Sequence, residues 1–310
     1  MTIDATTPVP RHGASWLDHA RAHPAKASAL AVAAVGVAGL ILLSNWRLFT
    51  GEPVPGLGLA LTGGTIAFAA TALGGLPALA MRGMPQKLED SLLGMAAGMM
   101  LAASAFSLIL PGLDAAERIV GPGALGAGIV VVGMALGVLL MLGLEAFTPH
   151  MHPGVGSVGP GTDRWSRIWL FVFAIALHNL PEGMAIGVGF SRADMAVGVP
   201  LATAIAIQDI PEGLAVALAL RGGGMRPLGA VLLAGATGLL EPLGAVVGVG
   251  LTGGLELAYP IGLGLAAGAM IFVVSHEVIP ETHRNGHQTP ATVGLMFGFA
   301  LMMVLDTALG

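Results

Sequence analysis

Residues 174–183 read AIALHNLPEG, and residues 204–213 read AIAIQDIPEG. The same polar signature therefore occurs twice, thirty residues apart, in sequence that is otherwise apolar. Ionisable groups inside an apolar membrane segment cost free energy and usually serve a function. A duplicated set argues against a purely structural origin. The repetition predicts one functional site built from two related halves.

The composition around these motifs is that of an integral membrane protein. The chain has 310 residues, of which 55% are hydrophobic and 10% are charged, whereas a soluble globular protein carries about 25% charged residues. Its 48 glycines suit helices that pack closely in lipid. Because the sequence has no cysteine, disulfides, thiolate metal sites and thiol nucleophiles are excluded. An alternating β-barrel pattern is missing from the sequence, so we expect membrane-crossing α-helices.

Nine segments are long and apolar enough to cross a membrane, which takes about 20 residues as a helix. They lie near 27–46, 57–81, 90–112, 121–146, 167–190, 195–220, 227–250, 256–280 and 290–309. Residues 1–26 are polar, and we expect a disordered cytoplasmic tail there. Residues 27–46 are interpreted as an extra N-terminal transmembrane helix rather than a cleaved signal peptide. The remaining eight helices form one domain over 57–310, with a Gly/Pro-rich cytoplasmic loop at 147–166.

The distribution of Lys and Arg predicts the orientation. With the N-terminus inside, ten of these residues fall on the inner side and three on the outer side. Loops rich in Lys and Arg stay in the cytoplasm. We therefore expect a multi-pass protein of the cell (inner) membrane, with a cytoplasmic N-terminus and an external C-terminus.

The two motifs reach the same depth on neighbouring, oppositely directed helices. His178 lies 11 residues beyond Arg167, or about 16 Å along a helix. Gln208 lies 11 residues beyond Val197. Both motifs are thus predicted near the bilayer midplane. A two-fold axis in the membrane plane would relate them, as in inverted-repeat transporters.

Spacing also predicts which motif side chains share a face, because residues four apart on a helix point the same way. The expected pairs are His178 with Glu182 and Gln208 with Glu212, flanked by Asn179 and Asp209. Pro181 and Pro211 each remove a helical hydrogen bond, so we expect both helices to be broken or kinked there, which opens room between them.

Imidazole, carboxylate and amide groups at one depth form an environment for divalent transition metals. Glu241 and Met100 are predicted at similar depth on other helices, although a methionine such as Met100 more often serves core packing than metal binding. Asn179 and Gln208 could be ligands or donors to ligands. Four buried carboxylates cannot all stay ionised and unpaired; two divalent cations, or protons, would balance them. These carboxylates belong to Glu182, Asp209, Glu212 and Glu241.

Further candidates lie at the two ends of the predicted path. His276 and Glu277, at the inner end of the eighth span, are interpreted as an exit-side metal site or a solvated helix end. Asp114 and Asp306 lie near outer helix ends and could recruit cations. Histidines in the cytoplasmic loops could receive metal transiently or be merely solvated: His150, His152, His283 and His287.

The residues resemble the ZIP (Zrt/Irt-like) family of divalent-metal transporters, in its bacterial GufA-like branch. The resemblance rests on HNLPEG at 178–183, QDIPEG at 208–213, EPLGA at 241–245 and HEVIPE at 276–281. The pattern of spans from 56 to 310 also matches. The sequence differs from the family pattern in two ways: it has an additional helix at 27–46, and it lacks a long histidine-rich loop.

The resemblance implies an all-α polytopic protein with eight core helices in a 3+2+3 inverted-repeat bundle, plus the extra N-terminal helix. It implies a binuclear centre, an elevator-type motion and metal uptake toward the cytoplasm. It places around one ion Met100, His178, Glu182, Gln208 and Glu212. Around the second it places Asn179, Asp209 and Glu241 with the bridging glutamates. Ser107 would line the outer approach with Asp114.

The sequence therefore predicts a transporter, not an enzyme, that carries one or two Zn²⁺ ions through a midplane site. Cd²⁺, iron, cobalt or manganese are alternative cargoes, since the ligand mixture leaves selectivity open. The predicted partners are metal ions, the lipid bilayer and a homodimer mate, with no nucleic acid. One rival is a cation-coupled carrier of organic solutes. Another is an intramembrane metalloprotease, which needs H-E-x-x-H, but Pro280 occupies the place of the second histidine.

Overall fold

The computed structural model of the chain describes residues 16–44, 54–81, 83–152, 156–159, 167–252 and 255–309. Within these ranges nine helices are long and apolar enough to cross a membrane. The prediction of an all-α, multi-pass membrane protein is thereby confirmed.

The helices follow the predicted spans closely. They are α1 (Trp16–Ala22), α2 (Pro24–Ser44), α3 (Leu57–Gly75), α4 (Gln86–Ala103), α5 (Leu110–Val120), α6 (Ala124–Phe147), α7 (Arg167–Phe190), α8 (Met195–Gly222), α9 (Pro227–Thr237), α10 (Leu240–Thr252), α11 (Ala258–Val273), α12 (Ile279–His283) and α13 (Gln288–Leu309). A 3₁₀ turn (Leu76–Leu79) extends α3. In the predicted loop at 147–166, β1 (His150–His152) pairs antiparallel with β2 (Gly156–Val158).

The N-terminal segment differs from the prediction of disorder through residue 26. Residues Trp16–Ala22 are helical and Pro24 begins α2. Trp16 stacks on Phe147 at a centroid distance of 6.2 Å, and His19 Nε2 donates to the Ala146 carbonyl at 2.9 Å. A helix this short is not stable alone, so these contacts with the end of α6 stabilise it. Residues 1–15 and 45–46 lie outside the described residues.

Both motif helices continue through their prolines. α7 is helical from Arg167 to Phe190 around Pro181, and α8 from Met195 to Gly222 around Pro211. The expected breaks were therefore wrong. Membrane helices tolerate proline because neighbouring groups and local adjustment compensate for the lost hydrogen bond.

Four helix pairs dominate the packing: α3 with α8, α7 with α10, α4 with α13, and α6 with α11. Glycine allows the close approach in each pair. A Cβ atom added to Gly94 would lie 2.2 Å from the Ala291 carbonyl of α13, and one added to Gly133 would lie 2.3 Å from the Ile261 carbonyl of α11. In lipid, such small-residue faces provide the contact that holds helices together.

These pairs form two groups. We call α3, α7, α8, α9 and α10 the motif bundle, and α4, α5, α6, α11, α12 and α13 the flanking bundle. α4 and α11 of the flanking bundle pack against α8 and α7, respectively. The extra helix α2 contacts mainly α6 and also α10, so it touches both bundles.

The flanking bundle contains two π-helical turns, and each directly follows the C-terminal end of an α-helix. One, Ser104–Ile109, follows α4 directly after the Met100 turn. The other, Val274–Val278, follows α11 and contains His276 and Glu277. Single π turns are rare and often occur at functional sites. Here both occur on the helices that face the motif bundle.

Candidate metal centre

α7 and α8 bring the acids of the two motifs together inside the protein. Glu182, Asp209 and Glu212 each offer a carboxylate oxygen, and these oxygens all lie within 4.8 Å of one another. Glu182 and Asp209 are 0% and 2% exposed. Three carboxylates at this spacing are close enough to share one cation.

Gln208 joins the two motifs directly. Its Nε2 donates to Glu182 Oε1 at 2.5 Å, inside the protein. The hydrogen bond orients the Glu182 carboxylate and leaves the Gln208 carbonyl oxygen without a partner among the described residues. Gln208 therefore acts as a donor to a candidate ligand, and its oxygen is still available as a ligand.

Glu241 lies beside this cluster, at the break between α9 and α10. It is fully buried in the first turn of α10. Its Oε1 accepts from Thr71 Oγ1 at 2.9 Å and from Asn179 Nδ2 at 3.4 Å. Asn179 is thus also a donor to a candidate ligand. Thr71 was not identified from the sequence.

The candidate ligands share a deficit of hydrogen bonds. Among the described residues, each has one buried nitrogen or oxygen atom that lacks a partner: His178 Nε2, Asn179 Oδ1, Glu182 Oε2, Gln208 Oε1, Asp209 Oδ2, Glu212 Oε1 and Glu241 Oε2. Leaving a buried polar atom unpaired costs about 1–3 kcal/mol. A concentration of such atoms in one place is what a cation site requires.

A cavity of about 560 Å³ reaches this cluster from one end of the bundle. At mid-depth it is lined by Met100, His178, Glu182 and Glu212. Its wall continues to the start of α4 and the end of α8, on the side predicted to be cytoplasmic. Met100 is 2% exposed and also belongs to the largest apolar core. Its position is therefore compatible both with metal binding and with core packing.

A second acidic cluster lies at the predicted inner end, where the sequence suggested His276 with Glu277. Glu145, His150 and Glu277 present ligand atoms within 4.8 Å of one another. His276 Nε2 contacts Glu145 Oε1 at 3.1 Å, and His150 Nε2 lies 3.6 Å from Glu277 Oε1. The cluster therefore combines the predicted pair with a loop histidine and one residue that sequence reasoning missed.

Glu145 could have been found from its position. It is the sole charged residue of a 24-residue apolar helix and lies five residues before His150. The environment of His150 is strongly acidic. Burial acts to lower the pKa of His150, but the nearby Glu277 and Glu145 carboxylates and the hydrogen bond with the Thr148 carbonyl together raise this pKa above its usual value.

The outer candidates do not form one cluster in the structure. Ser107 Oγ donates to Asp306 Oδ1 at 2.5 Å, which joins the first π turn to α13. Asp114 instead forms an exposed ion pair with Arg118. Ser107 and Asp306 thus meet, whereas Asp114 lies apart with a basic partner.

Comparison with known proteins identifies relatives over most of the chain. A family profile described as "ZIP Zinc transporter" matches residues 150–306. The chain is 63% identical to "Zinc transporter ZIPB" of Bordetella bronchiseptica over 296 residues, which cover 96% of each chain. It is 40% identical to "Zinc transporter GufA" of Myxococcus xanthus, over 82% of this chain and all of that one. It is 29% identical to human "Zinc transporter ZIP11", over 81% of this chain and 97% of that one.

Fold and site define a polytopic helical membrane protein with a buried acidic cluster between its helices. The comparisons make the class specific, since the family profile spans both motifs and one relative is matched over 96% of the chain. The chain belongs to the ZIP zinc transporter family. This confirms the resemblance to the bacterial GufA-like branch and the prediction of a transporter rather than an enzyme.

Proposed function

We propose that the protein carries Zn²⁺ across the cell membrane into the cytoplasm. The observation that carries this proposal is the set of three buried carboxylates whose oxygens lie within 4.8 Å of one another. Neither motif helix has a Lys or Arg within residues 168–191 or 193–220. Because these stretches supply no basic side chain to balance the acids, we infer that the countercharge comes from a cation or from protons.

The proposed site holds two ions. Glu182 and Glu212 bridge them, because both residues line the cavity and both lie close to Asp209. The first ion takes Met100, His178 and Gln208 as its remaining ligands. The second takes Asn179, Asp209 and Glu241. The partnerless atoms of these side chains support the assignment, and Zn²⁺ binds imidazole and carboxylate ligands readily.

The proposed path runs from Ser107 and Asp306 at the outer side to Glu145, His150 and Glu277 at the inner side. The position of the cavity supports an inward-open arrangement, since it joins the midplane acids to the inner helix ends. His276 would assist release through its contact with Glu145. Asp114 would act only as an outer charge that attracts cations.

We further propose that the motif bundle moves against the flanking bundle during transport, as an elevator. The support is that each bundle has its own close-packed helix pairs. The N-terminus would be cytoplasmic, the lipid bilayer would contact the exposed apolar faces, and a homodimer would use small-residue faces. Cadmium, iron, cobalt and manganese fit the same mixed ligands.

The test is zinc uptake into proteoliposomes with purified variants. His178→Ala and Glu212→Ala should each abolish saturable Zn²⁺ uptake, because each removes a ligand facing the cavity. His23→Ala and Glu256→Ala are matched controls, since both residues are exposed and remote from the site. Normal uptake by both site variants would overturn the proposal. Uptake that requires an added organic solute would favour the solute carrier instead.

A further inference from the structure

Thr71 of α3 makes a hydrogen bond that the two motifs do not account for. Its hydroxyl lies 2.9 Å from Glu241 Oε1 and 3.3 Å from the carbonyl of Ala67 in its own helix. A hydroxyl has one hydrogen to donate. Because the contact with the carboxylate is the shorter one, and charge-assisted bonds are the stronger kind, the hydrogen goes to Glu241.

This bond gives the two carboxylate oxygens of Glu241 different roles. Oε1 receives Thr71 and, at 3.4 Å, Asn179. Oε2 is buried and has no partner among the described residues. The carboxylate is thus held by one oxygen, while the other remains available to a cation. Without the hydroxyl, the long contact with Asn179 would be the one side-chain hydrogen bond left to Glu241 among the described residues.

The surroundings of Thr71 keep the hydroxyl in place. Thr71 is 3% exposed. A Cβ atom added to Gly213 of α8 would lie 2.1 Å from the Thr71 carbonyl, and one added to Gly238 would lie 3.2 Å from both Thr71 Oγ1 and Glu241 Oε1. Glycines on both sides therefore let α3 approach α8 and the α9–α10 break closely enough to make the bond.

We propose that Thr71 is a positioning residue that orients Glu241 so that Oε2 faces the second metal ion. This inference rests on the proposed binuclear site and adds a residue outside the two motifs to it. Thr71 does not touch the metal. It acts through the Glu241 carboxylate, as hydrogen-bonded neighbours of metal ligands commonly do.

The test measures Zn²⁺ binding to purified, metal-stripped protein by isothermal titration, with bound metal per chain determined by mass spectrometry. Thr71→Val keeps the side-chain shape and removes the hydroxyl. It should weaken binding of the second ion about 10- to 100-fold, the usual effect of losing such a neighbour, while the first ion is retained. Thr71→Ser, which keeps the hydroxyl, should restore the second ion. Thr65→Val is the matched control, because Thr65 is an exposed hydroxyl on the same helix.

A double variant tests whether loss of the Thr71 hydroxyl weakens zinc binding through Glu241. If Thr71 acts through Glu241, Thr71→Val should add no further loss to Glu241→Gln. Unchanged binding in Thr71→Val would overturn the inference, as would equal losses in Thr71→Val and Thr71→Ser, which would indicate packing. Additive losses in the double variant would also overturn it. Wild-type protein that binds no zinc would instead contradict the proposed function, and the inference with it.

Discussion

Gly183→Ala tests whether the contact between α7 and α10 sets the geometry of the metal site. The added Cβ would lie 2.2 Å from the Glu241 carbonyl oxygen, where ordinary contact begins near 3.4 Å. The two helices must therefore separate by about 1 Å, and overpacking of this kind costs about 1–3 kcal/mol of stability. Glu182 precedes this glycine on α7, so the same shift moves its carboxylate away from Glu241.

The shift is large on the scale of metal coordination. Ligand distances in a zinc site are held to within about 0.2 Å, so a displacement of about 1 Å exceeds this tolerance several-fold. We expect Gly183→Ala to reduce Zn²⁺ affinity at least tenfold and to lower saturable uptake in proteoliposomes. Titration of purified protein and uptake of radioactive zinc would measure the two effects.

Gly128→Ala supplies the matched control. It makes the same chemical change on α6, where the added Cβ meets no heavy atom within 4 Å. We expect wild-type binding, uptake and thermal stability from this variant. Wild-type affinity and uptake in Gly183→Ala, with the protein folded, would refute the argument that this helix contact fixes the site.

Two further predictions concern contacts at the predicted inner end. Arg221 donates to two backbone carbonyls, one within and one beyond the 3₁₀ turn after α3. Arg221→Met should therefore lower the free energy of unfolding by about 2 kcal/mol, whereas Arg226→Met, at an exposed position, should not. Equal thermal stability of the two variants would count against this. The pKa of His19 is lowered chiefly by burial, against the opposing hydrogen bond to α6. The docking of α1 should therefore be complete above the ordinary histidine pKa and weaken as pH falls through the lowered value. Amide-exchange protection of residues 16–22 at pH 7.5 and 5.5 would show this, and His19→Gln should remove the dependence.

The motif helices could be predicted because helical geometry is regular. Spacing from Arg167 and Val197 predicted one depth for His178 and Gln208, although α8 in fact begins at Met195, and the i to i+4 rule predicted which motif side chains share a face. Once α7 and α8 pack as antiparallel neighbours, the two motif faces meet. This is why Glu182, Asp209 and Glu212 meet in the structure.

The remaining parts depend on contacts between distant segments. Thr71 was not found because a threonine in an apolar helix usually bonds to its own backbone, and its partner lies 170 residues away. Glu145 was not found because an acid at a helix end is usually solvated. The helix at Trp16–Ala22 could not be predicted because its stability comes from Phe147 and Ala146 of α6.

The extra helix α2 would restrain the proposed movement of the two bundles. Its Val37, Leu40 and Ile41 pack in one apolar cluster with Leu136 of α6 and Leu251 of α10, among other residues. Since α2 contacts α6 more extensively than α10, it would stay with the flanking bundle in the movement proposed above. The proposed movement would therefore have to break or re-form the apolar contacts between α2 and α10, which couples the N-terminal helix to transport.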